Sequence, residues 1–341
     1  MPTKIAINGF GRIGRTAFKQ ALENKELEVV AINDLTTEDN LAYLLRFDSI
    51  HGPYEKEVKA VEEDGKHYLE VDGKKYLLLT EKDPTQLPWG DLDVDVVIES
   101  TGVFTTTEKA SAHLEAGAKR VVISAPAKDE ETPNKLVGSN AEDFNEKLAK
   151  ITSNASCTTN AVVPLTAIFL KELGFSKSMM TTVHGYTASQ SIVDGPNPKD
   201  HLRGRAAAVN IVPSHTGAAV ASAKSNPSLK GKFDAVAMRV PVIAGSIVDF
   251  VFLADKKTTV EEVNDILRNA AKNDHWKGIF TVTEEPLVST DILGNPHASI
   301  ADLSFTRVVD GDLVKVLAWY DNEWGYTSAL MKHVVEVGKL V

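Results

Sequence analysis

One cysteine occurs in the 341-residue chain, Cys157, inside Ser153-Asn154-Ala155-Ser156-Cys157-Thr158-Thr159-Asn160. A single thiol cannot close an internal disulfide or supply a multi-cysteine zinc site, and no metal is expected. Free cysteines are mostly buried as small hydrophobes, which is the bland reading. Its setting offers another. Small polar residues surround the thiol, and Val162, Val163, Leu165, Ile168 and Phe169 follow at helical spacing. That puts Cys157 at a helix N-terminus, where the dipole favours a thiolate. The dipole is worth about 0.3–1 kcal/mol, whereas lowering a thiol from about 8.5 by two units takes roughly 2.7 kcal/mol. A second partner is needed, most naturally an imidazole. Of the nine histidines, His184 closes the strand-like run Met179–Val183 and precedes Gly185. His51, His67, His113, His275, His297 and His333 stand in charged or turn-rich stretches and read as solvated. His201 and His215 fall in or near an irregular stretch.

A second constellation opens the chain. Gly9-Phe10-Gly11-Arg12-Ile13-Gly14 is a G-x-G-x-x-G placed after a strand and before a helix. Gly9 permits the tight turn, Gly11 lets backbone approach a pyrophosphate, and Gly14 lets the helix pack on the sheet. The helix N-terminus offers free N–H groups to phosphate. Asp34 ends the next strand, 20 residues after Gly14, where a carboxylate meets the adenosine ribose 2′-hydroxyl. Its charge repels a 2′-phosphate, which favours NAD over NADP.

The elements that hold these residues differ between the two halves. Lys4–Asn8 is a short apolar run. Arg12–Asn24 carries Ile13, Ala17, Phe18, Ala21 and Leu22 at helical spacing, and Glu26–Asn33 is strand-like. Lys66–Leu79 reads as a hairpin around Asp72-Gly73. Asp95–Glu99 and Arg120–Ser124 are buried strands flanking a helix over Thr107–Ala116. This alternation implies a mostly parallel Rossmann-type sheet. After Gly174 come longer strands: Ser178–His184, Lys232–Val242, Ile247–Ala254, Ala298–Arg307 and Asp312–Tyr320. One clear helix interrupts them, opened by the capping box Thr259-Val260-Glu261-Glu262. The fold class is therefore α/β, a dinucleotide-binding domain followed by an α+β domain on a mostly antiparallel sheet. The change of texture falls near residues 150–157. Thr187–Asn210 has no clean period and reads as a long functional loop.

Composition is that of an ordinary globular chain, 43% hydrophobic and 25% charged. A chain this long buries about 75% of its unfolded surface and needs no staple. The net charge of −10 argues against a dedicated nucleic-acid binder but not against a small anion met by local donors. No run of about 18 apolar residues spans a membrane, and no targeting segment is evident, so a cytoplasmic protein is expected.

Three motifs together point further. Asn8-Gly9-Phe10-Gly11-Arg12-Ile13-Gly14-Arg15, Ser156-Cys157-Thr158-Thr159-Asn160 and Trp319-Tyr320-Asp321-Asn322-Glu323 occur in order. The chain closely resembles the phosphorylating glyceraldehyde-3-phosphate dehydrogenases, from Ile5 to the C-terminal helix. The resemblance implies NAD-dependent oxidative phosphorylation of glyceraldehyde 3-phosphate with inorganic phosphate, in glycolysis. It implies an NAD-binding domain over 1–156, a catalytic domain over 157–321 and a C-terminal helix, about 322–341, packed back on the first. Cys157 would be the nucleophile and His184 its base. Thr187 and Arg239 would hold the C3 phosphate; Ser156, Thr158, Arg203, Thr216 and Gly217 would hold inorganic phosphate. Arg12 and Ile13 would line the pyrophosphate, Asp34 the ribose and Lys82 the adenine side. Thr101 and Ser124 would lie along the cofactor, and Asn322 would orient the nicotinamide. A homotetramer is implied, with Thr187–Asn210 near a neighbouring cofactor site.

Two departures stand out. Ala161 replaces a second cysteine common in the family, and Val242-Ile243-Ala244-Gly245-Ser246 replaces a Thr-Pro-Asn-Val-Ser pattern, leaving packing and subunit contacts there open. Erythrose-4-phosphate dehydrogenases share the motifs but hydrolyse the thioester, and form the alternative reading.

Overall fold

Alternation of β-branched residues with short polar turns builds the first unit. In the computed structural model, which describes residues 1–139, 141–198 and 200–341, this unit comprises Met1–Leu136, Asn140–Ala155 and Leu330–Val341. Its strands are β1 (Thr3–Asn8), β2 (Leu27–Asn33), β3 (Val58–Glu63), β4 (Lys66–Val71), β5 (Lys74–Leu79), β6 (Val96–Glu99), β7 (Arg120–Ile123) and β8 (Ile151–Ser153). They form one sheet in the order β3-β4-β5-β2-β1-β6-β7-β8. From β5 to β8 all pairs are parallel; β3-β4-β5 is an antiparallel meander. The helices are α1 (Arg12–Leu22), α2 (Glu38–Arg46) and α3 (Thr107–Glu115). In the β4–β5 turn, Asp72 and Gly73 both have positive φ, 48° and 79°, as a type I′ hairpin requires.

The central strands β1, β6 and β7 are apolar because both faces are covered. Ile5, Ile7 and Ile98 pack with Phe18, Leu330 and Val334 on one side. Ala6, Val97, Val121 and Trp89 pack on the other.

The second unit, Val137–Ser139 with Ser156–Ala329, is built differently. It holds α4 (Cys157–Glu172), β9 (Phe175–Gly185), β10 (Val212–His215), α5 (Ala218–Ser225), β11 (Phe233–Val240), β12 (Ser246–Ala254), α6 (Val260–Ala271), β13 (Phe280–Thr283), β14 (Ser299–Val309), β15 (Leu313–Tyr320) and the start of α7 (Trp324–Gly338). The sheet runs β10-β11-β9-β12-β15-β14-β13. Only β11–β9 and β13–β14 pair in parallel. Period-two alternation buries Met180, Thr182 and His184 of β9 on the face that also carries Val248, Phe250 and Phe252 of β12. Helix α4 lies in that same core through Val162, Leu165 and Phe169. The capping box at Thr259 is present, with Thr259 and Glu262 exchanging both bonds. Thr187–Asn210 contains only two short 3₁₀ turns, His201–Gly204 and Ala207–Val209; Lys199 lies outside the described residues.

Two histidines expected to be solvated are fully buried, His113 and His333. The charged residues flanking each in sequence lie on the outer face of its helix, while the imidazole turns inward to polar partners. His333 Nδ1 donates to Asn154 Oδ1 at 3.2 Å, and Nε2 accepts from the Thr152 hydroxyl at 2.9 Å. Burial, with the nearby Lys135 charge adding to it, pushes His333 down to about 3. The unfolded chain then binds one more proton than the native one between about pH 3 and 6.5, so stability is full above 6.5 and falls as pH drops through that window. Replacing His333 by Gln removes one proton's worth of slope, about 1.4 kcal/mol per pH unit. Denaturant unfolding at pH 4.5, 5.5 and 6.5 measures it, and an unaltered slope would contradict the assignment.

Candidate active site

In the first unit β1 delivers the chain into Gly9, whose φ is +93°. A Cβ there would lie 2.7 Å from the Thr101 nitrogen, and one on Gly14 would lie 2.0 Å from the Gly9 oxygen. Only glycine fits at either place. Gly11, by contrast, faces open space and caps α1 with no side-chain acceptor, at the helix N-terminus where the dipole favours an anion. Asp34 is locked to this loop: Oδ2 accepts from Phe10 N–H at 2.7 Å and Oδ1 from Thr36 N–H at 3.1 Å. A cleft of about 430 Å³ lies here, lined by Gly9, Gly11, Asp34, Lys82 and Thr101 among the expected residues. Leu35, Val103 and Phe104 supply apolar walls that the sequence motifs do not mark. The donor set and the flat apolar rim fit a dinucleotide.

Three expected cofactor residues sit differently. The Arg12 guanidinium pairs with Asp48 Oδ2 at 2.6 Å, and the Ile13 side chain packs into the core. What these two can offer a pyrophosphate is backbone N–H. Ser124 closes β7, its N–H bonded to Glu99 O, and is not among the residues lining the cleft.

In the second unit Ser156 caps α4 by accepting from Thr159 N–H at 3.1 Å, which makes Cys157 the first helical residue. Cys157 Sγ lies 3.4 Å from His184 Nε2. Strands β9 and β11 pair in register His184 with Arg239, and Arg239 NH1 reaches His184 Nδ1 at 2.6 Å and Gly185 O at 3.2 Å. Gly185 O is also 2.6 Å from His184 Nδ1. Tyr320 completes the pocket wall. Its hydroxyl meets Thr158 Oγ1 at 3.0 Å and Thr182 Oγ1 at 2.7 Å, and its ring lies edge-on to His184. Nearby, Thr187 Oγ1 and Arg203 NH1 converge on Ser189 Oγ, at 2.9 and 3.3 Å. Thr216 and Gly217 stand at the start of α5, where Thr216 Oγ1 accepts from Ala218 N–H.

The comparisons agree with this layout. Residues 3–107 match the family model described as glyceraldehyde 3-phosphate dehydrogenase, NAD binding domain, and residues 156–322 match its C-terminal domain. The glyceraldehyde-3-phosphate dehydrogenase of Geobacillus stearothermophilus is 49% identical over 331 residues, 97% of each chain. That of Sclerotinia sclerotiorum is 46% identical over 340 residues, 99% of this chain and 98% of its own. The chain belongs to the glyceraldehyde-3-phosphate dehydrogenase family. It is thus an NAD-dependent oxidoreductase of that family, and the erythrose-4-phosphate alternative is not favoured.

Within this family frame the electrostatics correct one expectation. The helix dipole does not leave Cys157 with a lowered pKa. Burial pushes the thiol up, and the Arg239 charge, the Thr158 N–H and the Thr158 hydroxyl pull it back only in part. Desolvation of a thiolate outweighs the fraction of a kcal/mol a dipole supplies. His184 is pushed down to about 3, by burial first and then by Arg239, so near neutrality it is an uncharged base. The Val242–Ser246 stretch that departs from the family pattern also has a task. Gly245 N–H and Ser246 Oγ both donate to Asn322 Oδ1, at 3.1 and 3.0 Å, which fixes the direction of the Asn322 amide. Gly245 has φ +84°, and a Cβ there would lie 2.3 Å from Ser289 O.

Arg239 is the strongest influence holding the thiol down and also depresses the imidazole. Arg239→Gln moves the pH midpoint of iodoacetamide alkylation of Cys157 upward and slows alkylation at pH 7 several-fold. An unchanged pH profile would show that the guanidinium does not govern the thiol.

Proposed function

We propose that the chain converts D-glyceraldehyde 3-phosphate, NAD and inorganic phosphate to 1,3-bisphosphoglycerate and NADH in glycolysis, through a thioester on Cys157. The observation that carries this reading is the 3.4 Å approach of Cys157 Sγ to an uncharged His184 beside Arg239. The Cys157 sulfur adds to the aldehyde carbon while His184 Nε2 takes the thiol proton and returns it to the new oxygen, giving a thiohemiacetal. NAD, when bound, supplies a hydride acceptor. As the thiohemiacetal carbon is oxidised, His184 Nε2 takes the hydroxyl proton, and a thioester results. Inorganic phosphate attacks the thioester carbonyl, and Cys157 leaves as thiolate with the Arg239 charge beside it. His184 performs these transfers in the tautomer whose Nδ1–H donates to Gly185 O.

The phosphate sites follow from charge and donors. Arg239 with Thr187 suits the C3 phosphate; Arg203, Ser156, Thr158, Thr216 and Gly217 suit inorganic phosphate. Among the described residues no carboxylate pairs with Arg239, whereas Arg203 shares its charge with Asp200 at 3.1 Å. On the cofactor side the roles fall to Gly9, Gly11, Gly14, the N–H groups of Arg12 and Ile13, Asp34 for the ribose, Lys82 and Thr101 in the cleft, Ser124 beyond it, and Asn322 for the carboxamide.

A cytoplasmic homotetramer completes the reading. Ile192, Val193, Val209 and Ile211 are exposed on the loop after β9, and Met179, Val183 and Val236 are exposed on the open sheet face. Such apolar patches favour burial against further copies of the chain. Among the described residues no helix is long and apolar enough to cross a membrane.

Glyceraldehyde 3-phosphate and NAD without phosphate should give one NADH per chain and stop; phosphate or arsenate should restore turnover. Sustained turnover without either would overturn the phosphorolytic step. Cys157→Ser should lose activity on the order of a millionfold, and His184→Asn about 10²–10⁴-fold. NADP should be a poor substitute for NAD because of Asp34, and a kinetic preference for NADP would refute that role.

A further inference from the structure

Beneath the nucleotide cleft lies a buried polar cluster that the chemistry above leaves unused. Glu99 ends β6 and is 1% exposed; His113 of α3 is 0% exposed. Glu99 Oε1 accepts from the Thr101 N–H at 2.8 Å and from the Thr101 hydroxyl. Oε2 accepts from Asn8 Nδ2 at 2.6 Å and meets His113 Nε2 at 3.1 Å. The tautomer of His113 is settled by its other face. Trp89 Nε1 can only donate, and it lies 3.1 Å from His113 Nδ1. Nδ1 is therefore bare, and the proton on Nε2 points to Glu99. Four donors converge on one side chain, and only a carboxylate accepts from all four.

The cluster reaches the cleft wall. Asn8 Oδ1 accepts from Asn33 Nδ2 at 2.8 Å, and Asn33 clasps the Glu81 backbone, donating to its carbonyl and accepting from its N–H, both at 2.8 Å. Asn8, Asn33, Glu81 and Thr101 all line the cleft. Their amide and hydroxyl directions are set, link by link, from Glu99.

We propose that Glu99, oriented by His113 and Trp89, is a positioning residue for NAD, fixing Thr101 directly and the Asn33–Glu81 wall through Asn8. This rests on reading the cleft as the NAD site. Burying such a group is not a route to stability, since apolar replacements of buried ionic clusters are often neutral or stabilising. What an apolar side chain cannot do is dictate the direction of four donors. Glutamine cannot do it either: whichever way its amide turns, its NH₂ faces a donor, from Thr101 or from Asn8 and His113. Relief requires Asn8 to flip, then Asn33, and the wall of the cleft changes its pattern of donors and acceptors.

The test uses full-length enzyme. NAD affinity is measured by calorimetry in wild type, Glu99→Gln and Trp89→Phe, with the alkylation rate of Cys157 as an independent reading of the second unit. Trp89 does not line the cleft; Trp89→Phe frees the His113 tautomer and also leaves a void in the core that Trp89 fills, a loss that Tm records separately from Kd. We expect Kd for NAD to rise about tenfold in Glu99→Gln, the effect of one lost buried hydrogen bond, and by a smaller factor in Trp89→Phe. Alkylation at fixed pH stays within twofold of wild type. A lowered Tm with unchanged Kd overturns the proposal, as does a Kd rise matched by altered alkylation, which marks general damage. If Glu99→Gln does not fold, Trp89→Phe decides alone: an unchanged Kd refutes positioning. Wild type that fails to bind NAD refutes the reading of the cleft instead.

Discussion

A half-buried guanidinium beside a buried imidazole is the constraint around which this corner of the second unit is organised. The parallel register of β9 and β11 sets Arg239 next to His184; the guanidinium donates to Gly185 O at 3.2 Å, and its NH1 lies 2.6 Å from His184 Nδ1. An uncompensated cation in a desolvated place has large effects on its neighbours. Burial first, and this cation second, keep charge off His184, which stays neutral down to about pH 3. The cation favours negative charge on the Cys157 sulfur, against the cost of burial. Burial and one guanidinium together set the protonation equilibria of the thiol and the imidazole. The price is structural. Thr158, Thr182 and Tyr320 form a buried hydroxyl chain that fixes the wall around the imidazole, and Gly185 must approach within 2.9 Å of the Val242 oxygen at the place where its Cβ would stand.

The first unit solves an opposite problem. It offers no buried cation to the ligand; it offers directed backbone and amide dipoles. Gly9, Gly11 and Gly14 clear space, α1 leaves its N–H groups without a side-chain cap, and Asp34 is pinned by Phe10 and Thr36. Preorganised donors of this kind cost no reorganisation on binding.

Much of this was legible in the sequence, for identifiable reasons. Elements with a strong period or a capping motif stood out: α1, α4, α6 and the central strands. The Asp72-Gly73 turn was legible because both residues must take positive φ. The same dipeptide signals turns at Asp64-Gly65, between β3 and β4, and at Asp310-Gly311, between β14 and β15; all four of these residues have positive φ. Helix α5, Ala218–Ser225, is short, with an apolar face too weakly marked to show as a stripe. The pairing of Cys157 with His184 needed the family motifs, because spacing along one chain cannot say which strand end faces which helix end. His113 and His333 misled because local charge describes the outer helix face, whereas burial is decided by what packs on the inner one. The direction of the Cys157 shift was beyond reach for the same reason: a dipole can be read from a helix start, but desolvation can only be read from packing.

The net charge of −10 acquires its proper weight from these details. A global field falls off over about 8–10 Å at physiological ionic strength, whereas a hydrogen-bond donor acts at about 3 Å. Among the described residues, Arg239 Nε and Gln190 Nε2 are buried nitrogens without a hydrogen-bond partner, and Gln190 Oε1 is already taken by the Thr187 N–H. A buried donor left unpaired costs about 1–3 kcal/mol, a penalty that an anion able to accept from it removes and a neutral apolar ligand does not. In the proposed reaction, selectivity for a phosphorylated aldehyde therefore lies in orientation and desolvation within a few ångströms. An acidic surface is compatible with it because surface carboxylates are solvated, whereas Arg239 Nε and Gln190 Nε2 are buried.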